Sequence, residues 1–85
     1  MVTTQLENEP AIEWLELARK RFNFPKDIIR INYQADVDLL VIGFSDKPSI
    51  RGNLDYESGV IFNYDEEGNV VSVEVLDLYG IYADA

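Results

Sequence analysis

Two periods divide this chain. Ala11, Trp14, Leu15, Ala18 and Phe22 recur at i, i+3, i+4, i+7 and i+11, one apolar stripe of an amphipathic helix. Asn8 is a candidate N-cap, Glu9 and Pro10 suit a first turn, and Pro25 stops the helix near Phe22–Phe24, so the pattern predicts a helix over about residues 9–23. Residues 1–8 are polar and aperiodic and read as a flexible arm. From Ile28 the period becomes two. Ile29, Ile31 and Tyr33 alternate with Arg30 and Asn32, and Val37–Phe44 is apolar on both faces apart from Asp38, the mark of a strand inside a sheet. A third strand, thinned by Gly52 and Asn53, follows the turn residues 45–49. The last two form a hairpin in which Val60, Phe62 and Tyr64 alternate, residues 65–69 turn with Gly68 left-handed, and Val71, Val73 and Val75 alternate. At Val75-Leu76 the alternation breaks, marking a bulge or the strand end.

The predicted strands are about 28–33, 37–44, 50–56, 60–64 and 70–76, within a single domain over 9–85. The fold class is α+β: an N-terminal helix packed on an antiparallel β-meander of about four strands. One helix covers part of one face only. Alternation is expected to leave Leu40, Ile42 and Phe44, with Ile61 and Val70, on the other face, where a second copy would bury them. The tail Leu78-Tyr79-Gly80-Ile81-Tyr82 is too apolar for water and is expected to pack back on the body or on a partner.

Charge sharpens this picture. The 85 residues hold 16 acids and 7 bases, net −9, with no His and no Cys. All the bases lie at or before Arg51, and from Gly52 onward the chain carries only acids: Asp55, Glu57, Asp65, Glu66, Glu67, Glu74, Asp77 and Asp84. That excess disfavours nucleic acid and anionic membranes as partners. The cluster Arg19-Lys20-Arg21 reads as a helix C-terminus matched to its dipole, opposite Glu9, Glu13 and Glu16. Nothing resembles a leader, and Leu39–Phe44 is too short an apolar run to span a bilayer, so a cytoplasmic location is expected.

The missing His and Cys remove the commonest neutral-pH acid–base group, thiolate nucleophiles and Cys-type zinc sites. Asp36-x-Asp38 and Asp65-Glu66-Glu67 look like fragments of a hard-cation site, yet neither completes a calcium loop, and both read as solvated turns. Ser45, Ser49, Ser58 and Ser72 lack an activating His, and no phosphate-binding glycine motif occurs. Trp14 falls on the apolar helix stripe and reads as core. The chain is therefore expected to be non-enzymatic, with no catalytic residues, cofactor or metal.

The strand region has a further likeness. INYQADVDLLVIGFSD followed by ESGVIFNYDEEGNVVSVEVLD resembles the small bacterial proteins grouped as domain of unknown function 2283, over about residues 31–77. The resemblance rests on Tyr33, Ala35, Asp36, Leu39, Ser45, Gly59, Val60, Tyr64, Asp65, Gly68, Val70, Val71, Glu74, Leu76 and Asp77, with Asn63 and Gln34 standing where that family often has Asp. It implies an antiparallel sheet domain without established activity, often encoded beside a small toxin-like partner, with the helix as an addition.

The functional expectation is a protein-interaction module, antitoxin-like, in which Asp55, Glu57, Asp65, Glu66, Glu67, Glu74 and Asp77 dock a basic protein partner. Homodimerisation through Leu40, Ile42, Phe44 and Ile61, or through an edge strand, is expected alongside it. Three other readings stand beside it: a nucleic-acid mimic with carboxylates spaced along one face, a structural homodimer, and a metal-dependent hydrolase using Asp36, Asp38 and Asp65.

Overall fold

A computed structural model describes residues 2–25 and 27–80, with side chains from Ala11 onward. Helix α1 spans Val2–Arg19. It is followed by β1 (Arg30–Gln34), β2 (Leu39–Gly43), β3 (Arg51–Asp55), β4 (Val60–Tyr64) and β5 (Val70–Val75).

The helix differs from expectation at both ends. It is already wound at Val2, so the stretch read as an arm is helical and Pro10 lies inside the helix, where its missing N–H costs one i→i−4 bond. Gln5, Leu6, Glu7 and Glu9 are good helix formers, and the chain propagates through that loss. At the other end the helix stops at Arg19, and the Arg21 and Phe22 N–H groups both turn back to the Ala18 carbonyl. Phe22 and Phe24 then continue the apolar stripe in non-helical chain, Phe22 meeting Phe62 edge-on at 5.6 Å and Phe24 tilting against Phe44 at 6.2 Å.

The strands form one five-stranded antiparallel sheet in the order β1-β2-β5-β4-β3. This corrects the expected meander of about four strands. β2 pairs with β5, and the connection 44–50 carries the chain past β5 and β4 to the far edge, a Greek key over β2–β5. The most apolar strands thus take the interior while RGNLD, the most polar, takes an edge. β5 ends at Val75, where the alternation breaks, and the register shift falls instead between Asn63 and Tyr64. Gly68 is left-handed at φ 88°.

Register decides which face each side chain joins. Ile31 lies opposite Ile42, Tyr33 opposite Leu40, Leu40 opposite Val75, and Ile42 opposite Val73. Leu40, Ile42 and Phe44 are therefore on the helix side, buried in one core with Ala18, Val60, Val73, Val75 and Leu78. Trp14, Leu15, Leu17 and Phe22 pack against it. The expected dimer face is corrected: three of its four residues are interior to the single chain, and Ile61, opposite Glu74, lies on the other face. That open face carries half-buried Leu39, Val41 and Ile61 around a polar centre, where Asn63 Nδ2 donates to Ser72 Oγ and Glu74 Oε2 at 3.1 and 3.0 Å. Leu78 of the tail packs back as expected, whereas Ile81, Tyr82 and Asp84 lie outside the described residues. Among the described residues no helix is long and apolar enough to cross a membrane.

Candidate functional site

The sheet distributes the acidic half of the chain over its two ends. Turns 35–38 and 56–59 and the chain after Val75 share one end, because Gln34 pairs with Leu39, Asp55 with Val60, and Val60 and Leu40 both with Val75. Asp55, Glu57 and Asp77 lie there. Asp65, Glu66 and Glu67 form the β4–β5 turn at the opposite end, one strand length away, on the order of 15 Å at about 3.4 Å per residue. Glu74 sits between them on the open face, tied to Asn63. The candidate residues do not form one surface, and the carboxylate track along one face that a nucleic-acid mimic needs is not made.

The first end is held together by Asp38 and Arg21. The β1–β2 and β3–β4 turns both end on a left-handed residue, Asp38 at φ 55° and Gly59 at φ 70°. Asp38 is fully buried, and its carboxylate accepts the Tyr33 hydroxyl at 2.7 Å and the Tyr79 N–H at 3.0 Å, while its carbonyl accepts the Leu78 N–H. The Tyr79 hydroxyl reaches Glu13 at 2.7 Å, joining helix, turn and tail. Burial of that phenol, and then its bond to the Glu13 carboxylate, push its pKa above the ordinary tyrosine value. Arg21 Nη1 donates to the carbonyls of Ser58 and Leu76 at 3.1 and 3.0 Å, and Nη2 to that of Asp77 at 2.6 Å. A shallow groove of about 470 Å³ opens beside it, lined by Arg21, Leu54, Tyr56, Glu57, Leu76 and Asp77. The Tyr56 ring is 89 % exposed on its rim. Glu57 and Asp77 carry no ion pair among the described residues, and the Asp55 carboxylate accepts the Ser58 hydroxyl at 2.7 Å.

At the opposite end Asp65 and Glu67 are already engaged. Asp65 is buried and its Oδ1 accepts the N–H groups of Glu67 and Asn69, both at 2.9 Å. The bond from Asn69 above all, then that from Glu67 and the nearby Lys47 charge, hold its pKa below the ordinary value against the opposing effect of burial. Lys47 pairs with Glu67 at 3.2 Å, and Arg30 with Asp46 at 2.9 Å.

These contacts revise the reading of the two acidic runs as solvated turns. Asp36, Glu66 and Glu67 are exposed, but Asp38 and Asp65 are interior caps of the loops that contain them. Asp36 and Asp38 also lie at the end opposite Asp65, so the hydrolase ligand set is not assembled, and no group of three or more metal-ligating side chains occurs among the described residues.

Sequence reasoning missed Arg21 and Tyr56. Arg21 reads as part of a dipole-matched helix terminus, yet only Arg19 stands in the last turn. Its role across 37 to 56 residues of separation leaves no local signal. Tyr56 closes the predicted strand 50–56 with nothing local to mark it out, and its near-total exposure depends on β3 being an edge.

A family model described as "Protein of unknown function (DUF2283)" matches residues 30–78, the span from the first residue of β1 to Leu78 behind β5. The chain belongs to the DUF2283 family. The DUF2283 match contains all five strands, the buried Asp38 and Asp65 and the acids of both ends, and leaves α1 outside. No curated protein and no solved structure matches the chain.

Proposed function

We propose that this DUF2283 protein is a non-catalytic interaction module whose acidic sheet end, around Glu57 and Asp77, docks a basic segment of a protein partner. One observation carries the reading: the guanidinium that reaches this end, that of Arg21, is bound to three backbone carbonyls, and leaves the Glu57 and Asp77 carboxylates without an ion pair among the described residues. A lysine or arginine of the partner enters the groove between those acids and stacks on the exposed Tyr56 ring, which offers cation–π attraction beside the charges. Such docking on a toxin-like partner would make the protein antitoxin-like. At the other end Glu67 already holds Lys47 and Asp65 backbone N–H groups, which makes it the weaker half of the expected surface.

An oligo-arginine peptide titrated into labelled protein at low salt is expected to shift the amides of residues 56–58 and 76–77. The shifts should vanish near 1 M salt, where the screening length is roughly 3 Å. The double variant Glu57→Lys, Asp77→Lys should lose them, and should also lose whatever basic protein the wild type retains from its own cell extract. Shifts centred on residues 65–67, or binding indifferent to salt, overturn the reading.

A further inference from the structure

We infer that β3 is a self-complementary edge through which two copies of this chain pair, antiparallel about a two-fold axis at Asn53, joining their sheets into one. Among the described residues β3 is hydrogen-bonded to β4 alone, which leaves its other side open to a second copy. Read from Ile50 to Tyr56, the segment is I-R-G-N-L-D-Y, and reversed about Asn53 it matches itself in charge and in shape. Two-fold pairing sets Arg51 opposite the second copy's Asp55, twice over, Gly52 opposite Leu54, and Asn53 against itself. Residues directly opposite in an antiparallel pair share a face, so each Arg51 and Asp55 meet side by side.

Three observations favour a second copy here over plain solvent. Arg51, Asn53 and Asp55 are all exposed, with Arg51 held 5.0 Å above the Tyr64 ring and Asp55 using one oxygen on Ser58. Ile50 and Tyr56, 60 % and 89 % exposed, bracket the strand and are brought together across the pair. The opposite edge offers no such match: in R-I-N-Y-Q, Arg30 would face Gln34, and Arg30 already holds Asp46. Charged edge residues ordinarily deter strand addition, but only when like charges meet; opposite signs at mirror positions admit one partner, the same edge reversed. The two-fold axis makes the contact isologous and closed, so it yields dimers and not fibres. One short strand per copy falls under the roughly 1,200 Å² of stable complexes, so the dimer forms and dissociates with concentration.

The inference turns on Arg51 and Asp55 and survives loss of Glu57 and Asp77, while Tyr56 borders both surfaces. Sedimentation velocity of the full chain over a micromolar-to-millimolar series tests it. The wild type is expected to shift from monomer to dimer. Arg51→Asp and Asp55→Arg should each weaken association at least about tenfold, because like charges then face each other. Mixing the two variants should restore it, since an edge with two acids then meets one with two bases. As a check free of any variant, amide exchange at residues 52–54 should slow as wild-type concentration rises, while β1 is unchanged. A wild type that stays monomeric throughout, single variants that associate like the wild type, or a mixture that remains monomeric overturns the inference.

Discussion

Asp38 and Asp65 show how much a single carboxylate can hold in a small domain. Asp38 occupies a left-handed position and satisfies a hydroxyl and a backbone N–H without exposure to water. Replacing it with Ala removes the carboxylate that the Tyr33 hydroxyl and the Tyr79 N–H donate to and keeps a Cβ at φ 55°. We expect a loss of about 2–3 kcal/mol in urea unfolding. Asp65 gives a pH dependence. Its folded pKa lies below the ordinary 3.8, so its stabilisation is fully present above that value and is lost as pH falls through the folded pKa. The urea midpoint should therefore drop between neutral pH and pH values below 3.8, and Asp65→Asn should flatten that part of the profile. The sequence places Asp65 in a turn but puts Asp38 inside the predicted strand 37–44 as well as in a solvated turn; β2 starts at Leu39, so Asp38 belongs to the turn. Which turn carboxylate points inward was not legible, because the Tyr79 N–H that Asp38 holds lies 41 residues further on.

At the scale of elements, the hairpins are local and the rest is not. The turn between β4 and β5 and the alternation on both sides of it are written in consecutive residues, and that hairpin forms as read. The β3–β4 turn depends on a left-handed Gly59, and Gly59→Ala is expected to cost about 1 kcal/mol by placing a Cβ at φ 70°. Arg21 ties the end of α1 to that turn and to the end of β5. Arg21→Ala should cost about 2 kcal/mol through three lost charge-assisted bonds, measured by thermal or urea unfolding. Lys in its place should recover only part, since one ammonium does not span three carbonyls as a planar fork does. The helix ends differ from the expected ones because Asn8 with Pro10 offers a start signal and Pro25 a stop signal. Propagation from Val2 outweighs one missing bond, and the apolar stripe runs on past Arg19 in non-helical chain.

For the whole molecule, the topology sets both proposed surfaces. Carrying the chain from β2 to the far edge puts RGNLD on the outside and opens the side that a second copy fits. The same topology separates the acids into two ends, so the net charge of −9 is not one field but two regions of different availability. Near 65–67 Glu67 pairs with Lys47 and Asp65 holds backbone N–H groups; Glu57 and Asp77 have no ion pair among the described residues. Salt should accordingly weaken basic-peptide binding and β3 pairing together, while the double variant at Glu57 and Asp77 removes the first and leaves the second. Sedimentation and peptide titration on the same samples separate them.

The sequence by itself determined the α+β class, the stretches that alternate as strands, the helical stripe and the absence of His and Cys chemistry. These follow from periods of two and of three to four residues and from residue types, which need no knowledge of distant neighbours. The tertiary structure alone decided that Leu40, Ile42 and Phe44 face the helix, that β3 is an edge, that Asp38 and Asp65 are buried, and that Arg21 caps two carbonyl-rich chain ends. Each of these depends on pairing between residues far apart in the chain. A one-residue change of register reverses every face, and nothing in a strand's own alternation says which side will be covered.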